Sequence, residues 1–308
     1  MRIIKFILVI IISIFLLHCE NVNLGEMYKI SDYYTENQKW TPVCSKIAFI
    51  NPTYYENGPA LCYIDPDGNS FSVIDMNGSY FDNFGQFCFI DDGNYIVFYA
   101  SKDKSLPPYI PYKIPSEGGT PVKLFDDNQY EWNGFPTSSD DGWIYLLRSN
   151  DSWIYNVWKV KSDGSELTDV GIKLEMSISS FQCSKDGRYL VFDFRNTKNN
   201  IEMKVIRLSD KKMWSVADSS NFSNVPSGKY QTFSPDSKWI CFCYHSNNEG
   251  GLYIVPFDNS DDPVKVADCG GPSGAPYYPD WSSDGKWIIF GYYSFLYKLK
   301  VPDEFLPE

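Results

Sequence analysis

Trp281-Ser-Ser-Asp-Gly-Lys-Trp-Ile-Ile-Phe290 decides the fold, because the chain repeats it. It returns as Phe233-Ser-Pro-Asp-Ser-Lys-Trp-Ile-Cys-Phe242 and as Cys183-Ser-Lys-Asp-Gly-Arg-Tyr-Leu-Val-Phe192. Two looser copies are Thr137-Ser-Ser-Asp-Asp-Gly-Trp-Ile-Tyr-Leu146 and Phe89-Ile-Asp-Asp-Gly-Asn-Tyr-Ile-Val-Phe98. A degraded first copy, Trp40-Thr-Pro-Val-Cys-Ser-Lys-Ile-Ala-Phe49, lacks the Asp-Gly pair. The last apolar residue of each copy falls at 49, 98, 146, 192, 242 and 290, a period of 46 to 50 residues. A period of that size, kept from end to end, marks a repeat architecture in which each copy is one structural unit.

Each copy reads the same way internally. Tyr277 to Ser282 has the pattern of a short strand, and Ser283-Asp284-Gly285 that of a tight turn. The Asp accepts backbone hydrogen bonds there and the Gly supplies a positive φ. Lys286 to Tyr292 is a second strand, rich in aromatic and β-branched residues. A third strand follows in each copy, as in Leu252-Tyr-Ile-Val-Pro-Phe257, then a turn and a short fourth strand such as Val264-Lys-Val-Ala267. Four antiparallel strands in one such period make a propeller blade, and six blades close a ring. The sequence therefore predicts an all-β, six-bladed β-propeller of four-stranded antiparallel blades, with blades starting near residues 38, 85, 133, 179, 229 and 277. The last copy runs out after its third strand, while Met27-Tyr-Lys-Ile-Ser31 looks like a fourth strand. Residues 26–32 are expected to complete the sixth blade, which closes the ring and removes an open sheet edge.

The repeat, W/F-S-P-D-G-K-x-I-x-F followed by L-Y, resembles the TolB-type propeller repeat of the WD40-like group. Phe233-Ser-Pro-Asp236, Trp281-Ser-Ser-Asp-Gly285 and Leu252-Tyr253 carry the resemblance, which covers essentially all of residues 26–308. It implies a propeller of the cell envelope in which the Ser-x-Asp-Gly residues form turns and carry no activity. TolB has an additional N-terminal domain, which this chain is expected to lack. The pattern differs from the sialidase Asp-box, S-x-D-x-G-x-x-W, because Asp284 and Gly285 are adjacent.

Arg2 and Lys5 precede an apolar run from Phe6 to Leu17, too short to span a membrane and shaped like a secretory signal. With Cys19 directly after it, the segment resembles a bacterial lipoprotein signal. The resemblance implies that residues 1–18 are removed, that Cys19 carries the lipid, and that 19–25 tether the propeller to a membrane. In that family Gly, Ala or Ser precedes the Cys, and here it is His18. The alternatives are an ordinary cleaved signal and an uncleaved anchor. The expected address is outside the cytoplasm, membrane-anchored, in the periplasm or at the cell surface.

Composition excludes several functions. The 308 residues carry 27 Lys and Arg against 39 Asp and Glu, a net charge of −12. A nucleic-acid binder or a protein adsorbed on anionic lipid needs the opposite sign. Only His18 and His245 exist, so a His-rich zinc site is impossible and a Ser-His-Asp triad has one histidine to use. Seven cysteines remain beyond Cys19, mostly at apolar strand positions, with no CxxC spacing. They read as core residues, with a disulfide possible and not required. Asp65-Pro-Asp67-Gly-Asn69 opens like a calcium loop but has Met76 where the bidentate Glu belongs. Gly270-Gly-Pro-Ser-Gly-Ala-Pro276 has no Lys and no following helix for phosphate. No G-x-S-x-G nucleophile elbow occurs. No cofactor and no metal are expected.

The mouth of the ring remains as the place for function, since loops held on a rigid scaffold carry recognition. Aligned on Tyr277, the positions that open the first strands are Glu36, Gly85, Asn133, Ser179 and Lys229. Tyr80, Phe81, Phe84, Tyr130, Glu131, Trp132, Tyr230 and Tyr278 lie close to them in sequence. Glu36, Asn133, Lys229, Tyr277, Tyr130, Trp132 and Tyr278 are the candidate binding residues. Aromatic side chains with scattered acids suit a protein or carbohydrate surface, although rings of this kind also pack between blades. The expected role is a non-catalytic, monomeric binding module for a protein partner in the envelope. The alternative is a propeller hydrolase or lyase acting on carbohydrate or peptide through channel carboxylates.

Overall fold

The computed structural model describes residues 25–55, 58–101, 110–126, 132–151, 154–175, 177–195, 201–217, 229–245, 250–270 and 275–307. They form six four-stranded antiparallel sheets, each assembled from consecutive strands except the last. The innermost strands of blades one to six are Glu36–Trp40, Asn83–Ile90, Trp132–Ser138, Ser177–Cys183, Lys229–Phe233 and Tyr277–Trp281. These pack beside one another around the axis. The six-bladed propeller read from the sequence is the fold observed.

The ring closes as expected. Met27–Ser31 pairs antiparallel with Phe295–Lys300, the third strand of blade six, placing Met27 opposite Leu299 and Tyr28 opposite Lys298. The contacts across this closure repeat those between interior blades. Lys113 of blade two donates to the Ser162 carbonyl in the outer turn of blade three at 2.8 Å. Lys298 of blade six donates in the same way to the Pro66 carbonyl of blade one, also at 2.8 Å.

The core is six wedges rather than one centre. Along the second strand of blade one, Ile47 and Phe49 pack toward blade six with Ile289 and Leu296. Their neighbours Ala48 and Ile50 pack toward blade two with Phe87, Ile96 and Phe98. Successive strand side chains point to opposite faces, and here both faces are covered. That is why the second strands carry unbroken apolar runs, such as Ile47–Ile50 and Ile96–Ala100, instead of alternating. Phe49, Phe98, Phe192 and Phe290, the residues that end four of the copies, are fully buried. Each contributes about 2–3 kcal/mol by burial.

The Ser-x-Asp-Gly segments are turns, built alike. In blade six the Ser282 hydroxyl donates to Asp284 Oδ1 at 2.6 Å, and Asp284 Oδ1 accepts the Lys286 N–H at 3.1 Å. Ser282 Oγ in turn accepts the Trp287 N–H at 2.9 Å. Ser234, Asp236 and Trp239 repeat this in blade five, and Ser184, Asp186 and Tyr189 in blade four. The pattern fixes a hairpin and leaves no side chain available for chemistry. The degraded first copy substitutes Thr41, whose hydroxyl accepts the Lys46 N–H at 3.1 Å. It does not replace everything. Trp281 Nε1 donates to the Gly285 carbonyl at 3.0 Å, whereas the Nε1 of its counterpart Trp40 is buried without a partner.

Candidate functional site

Every innermost strand carries one extra residue at the same level, between Glu36 and Lys39, Phe84 and Phe87, Gly134 and Thr137, Ile178 and Ser180, Lys229 and Gln231, and Tyr277 and Asp280. Such a bulge bends the strand and re-aims its side chains. At four of the six levels a residue other than glycine adopts a positive φ: Asn37 (51°), Phe135 (55°), Tyr230 (67°) and Tyr278 (50°). Bulky residues rarely occupy that region.

First strands run from the end of the ring where blades are joined to one another, the loop mouth, toward the Ser-x-Asp-Gly turns. The loop mouth gathers tyrosines from blades five and six around Glu36 of blade one. The rings of Tyr230 and Tyr278 lie 3.9 Å apart between centroids, and Tyr277 meets Tyr278 edge-on at 5.9 Å. Tyr277 sits over Gly291, where a β-carbon would come within 2.0 Å of its ring. Glu36 is half-buried, and loss of solvent raises its pKa. Burial raises the pKa of Tyr277 to about 12, with the charges of Tyr34 and Glu36 adding to it. Burial likewise raises Tyr230 and Tyr278, and the Glu36 charge contributes to both. One carboxylate therefore faces three phenols.

Of the candidate residues, the structure brings Glu36, Tyr277 and Tyr278 together, and Tyr230 joins them. Tyr278 and Tyr230 occupy the strand bulges themselves. Lys229 opens the first strand of blade five opposite Cys243. Trp132 and Asn133 open that of blade three, but pairing puts Gly134, not Asn133, next to the bulge, opposite Leu147. Tyr130 and Cys19 lie outside the described residues. Phe81 is buried among Phe84, Phe98 and Tyr112 in the wedge between blades one and two, so it is a core residue.

Below the tyrosines, the channel is crossed by polar clasps that the sequence reading did not single out. Lys39 Nζ lies 3.2 Å from Asp280 Oδ1, and the Trp40 N–H donates to Asp280 Oδ2 at 2.8 Å. With its amide oriented so that both atoms find partners, Gln182 donates to the Gln231 carbonyl at 2.9 Å and accepts from Lys39 Nζ at 3.3 Å. Asp193 is fully buried and accepts the N–H groups of Ser179, Ser180 and, from the next blade, Tyr230, at 3.1, 2.7 and 3.1 Å. Burial raises its pKa to about 6 against the pull of those bonds. The available signal was an acid inside an otherwise apolar run, Tyr189-Leu-Val-Phe-Asp-Phe194.

At the turn end the channel widens into a cavity of about 760 Å3 lined by Lys39, Asp91, Asp140, Lys185 and Asp280 among others. Three of its four carboxylates pair with lysines: Asp280 with Lys39, Asp91 with Lys113 at 3.5 Å, and Asp140 with Lys185 at 4.0 Å; Asp92, which also lines it, pairs with none among the described residues. Among the described residues no group of three or more His, Cys, Asp or Glu is placed to hold a metal ion. His245 ends the second strand of blade five, half-buried.

No sequence profile of a known family matches the chain, and no curated protein does. Solved structures do. TolB from Acinetobacter baumannii superposes with a TM-score of 0.63 at 14% identity, over 84% of this chain and 64% of that one. The chain thus spans less than two thirds of that protein's length. A putative TolB from Agrobacterium tumefaciens gives 0.62 at 14% identity, over 90% and 97%. A gluconolactonase from Xanthomonas campestris gives 0.65 at 12% identity, over 91% of both chains. The chain is TolB-like in fold. The same fold carries an enzyme, so fold alone does not separate binding from catalysis.

Proposed function

We propose that the protein is an exported, membrane-anchored propeller whose loop mouth binds a protein partner of the cell envelope without catalysing a reaction. The observation that carries this reading is the composition of the mouth among the described residues: Tyr230, Tyr277 and Tyr278 around the carboxylate of Glu36. Rigid aromatic side chains with a polar tip suit protein interfaces. Catalysis on sugars by general acid and base needs two carboxylates in distinct environments facing one substrate. Three of the four acids around the turn-end cavity are instead tied to lysines, which leaves Asp92 without a second free carboxylate beside it. The TolB-like fold and the signal-like N-terminus with Cys19 support the envelope address.

The test is site-specific photo-crosslinking in cells making the full chain. A photoreactive residue at Tyr293, 51% exposed at the loop end of blade six, is compared with one at Val122, 57% exposed on an outer strand. A discrete protein adduct at position 293 and none at 122 is the expected result. Equal adducts, or none at 293, would remove the partner reading. Labelling with radioactive palmitate tests the anchor, since wild type should label and Cys19→Ala should not.

A further inference from the structure

We infer that the loop mouth is a receptor for a cationic side chain, an arginine or lysine that the partner presents to Glu36 between Tyr230, Tyr277 and Tyr278. The inference rests on the reading that this mouth takes a protein, and names the group it recognises.

Glu36 is the first reason. It opens the first strand of blade one, half-buried, and among the residues whose side chains are described, a set that leaves out Lys229, no Lys, Arg or His pairs with it and no donor reaches its carboxylate. The largely buried Asp280 of the channel, by contrast, has a lysine. Taking a carboxylate partly out of water without a counter-charge is unfavourable, so an unpaired one at a mouth is half of an ion pair.

The walls are the second. Tyr230 and Tyr278 are held at positive φ, 67° and 50°, a conformation that persists where the surroundings impose it and that clusters at functional sites. Gly291 leaves the room in which the ring of Tyr277 sits. The faces of such rings are negative and attract cations.

Chemistry is the third. The mouth offers one carboxylate on Glu36, ring faces, and phenol oxygens that accept as well as donate. Gln38 Nε2 is committed to the carbonyls of Tyr277 and Tyr278, both at 2.8 Å. Its Oε1, on a residue only 1% exposed, accepts nothing. Gln38, Tyr230 and Tyr278 share the lining of a 50 Å3 cavity. A guanidinium or ammonium presents donors only, which suit the Glu36 carboxylate and the phenol oxygens, and its charge supplies what Glu36 lacks. The net charge of −12 draws a basic partner from a distance.

The probes are N-acetyl-arginine methylamide, its neutral citrulline counterpart and choline, titrated into the full detergent-solubilised chain with tyrosine fluorescence as readout. The arginine compound should bind saturably and the citrulline compound should not. Glu36→Gln, close in size and free of the unpaired charge, should weaken the arginine compound by about tenfold or more while unfolding at or above the wild-type temperature. Equal binding of arginine and citrulline compounds, or equal binding by Glu36→Gln, overturns the inference. Choline binding as tightly as the arginine compound, and equally dependent on Glu36, overturns it too, because a small free cation would then be the occupant. A cross-link at position 293 that survives Glu36→Gln, with no arginine binding, sinks the cation and leaves the partner standing. Loss of that cross-link in wild type sinks the partner reading itself.

Discussion

Lys39 of the first blade and Asp280 of the sixth form an ion pair of 3.2 Å across the closure of the ring, 241 residues apart in sequence. Asp280 also accepts the Trp40 N–H, so one carboxylate holds both a side chain and the backbone of the opposite end of the chain. Three further contacts join the same two blades. Gln38 bonds to the carbonyls of Tyr277 and Tyr278, and the Ser283 hydroxyl donates to the Pro42 carbonyl at 2.6 Å.

Asp280→Ala should therefore weaken the closure. It strands a largely buried lysine and a backbone donor, and is expected to cost about 2–4 kcal/mol in urea unfolding. Asp280→Asn keeps one acceptor for Trp40 and should cost less. A loss below about 0.5 kcal/mol for the alanine variant would mean the pair does not hold the ring.

Asp193 should impose a pH dependence. Its folded pKa of about 6 lies above the ordinary carboxylate value, so the folded state binds its proton more tightly than the unfolded chain does. The contribution to stability is full below pH ~4, declines as pH rises, and is lost above pH ~6, a swing of about 3 kcal/mol. Measured from pH 4 to 7, the difference in stability between wild type and Asp193→Asn should shift against the wild type as pH rises. Parallel curves would show that Asp193 does not titrate in this range.

Two glycines separate strain from collision. Gly142 has φ 80° with open space around it, and Gly164 has φ 84° with the Leu124 carbonyl 1.9 Å from where a β-carbon would lie. Gly142→Ala should cost about 1 kcal/mol from the left-handed backbone alone. Gly164→Ala must also push the outer strand of blade two away, and should cost about 3 kcal/mol or more. Comparable losses in thermal unfolding would contradict that packing.

All seven cysteines among the described residues are free thiols, and six are buried. Burial pushes Cys62, Cys88 and Cys269 up to about 12, leaving almost no thiolate at neutral pH. A disulfide-exchange reagent should modify Cys44 in the native protein and the other six only after unfolding. Rapid labelling at Cys241 or Cys243 would mean that the wedge between blades five and six opens.

The repeat was legible because its chemistry is local. A Ser, an Asp two residues on and a residue tolerating positive φ make the same turn wherever they occur, and even Ser237, standing in for Gly, adopts φ 60°. The missing fourth strand of the last copy was legible for the same reason, since Met27–Ser31 carries a fourth-strand pattern. The bulges were not. A positive φ at Tyr230 or Phe135 has no sequence signature, because the neighbouring blades impose it. That is why alignment by spacing picked Asn133 where pairing picks Gly134. The clasps were hidden for another reason: Lys39 and Asp280, or Asp193 and the Tyr230 amide, become partners only once the ring exists.

The strand Met27–Ser31 has a consequence for how the chain is made. Five blades can assemble from contiguous stretches as they emerge from the ribosome or a translocation pore. The sixth cannot, because its outermost strand is delivered at the start and its other three at the end. Met27–Ser31 must wait, unpaired, until the other three strands of its sheet have been made, so closure follows the five contiguous blades and a chain stopped before the last blade is left as an open, aggregation-prone arc.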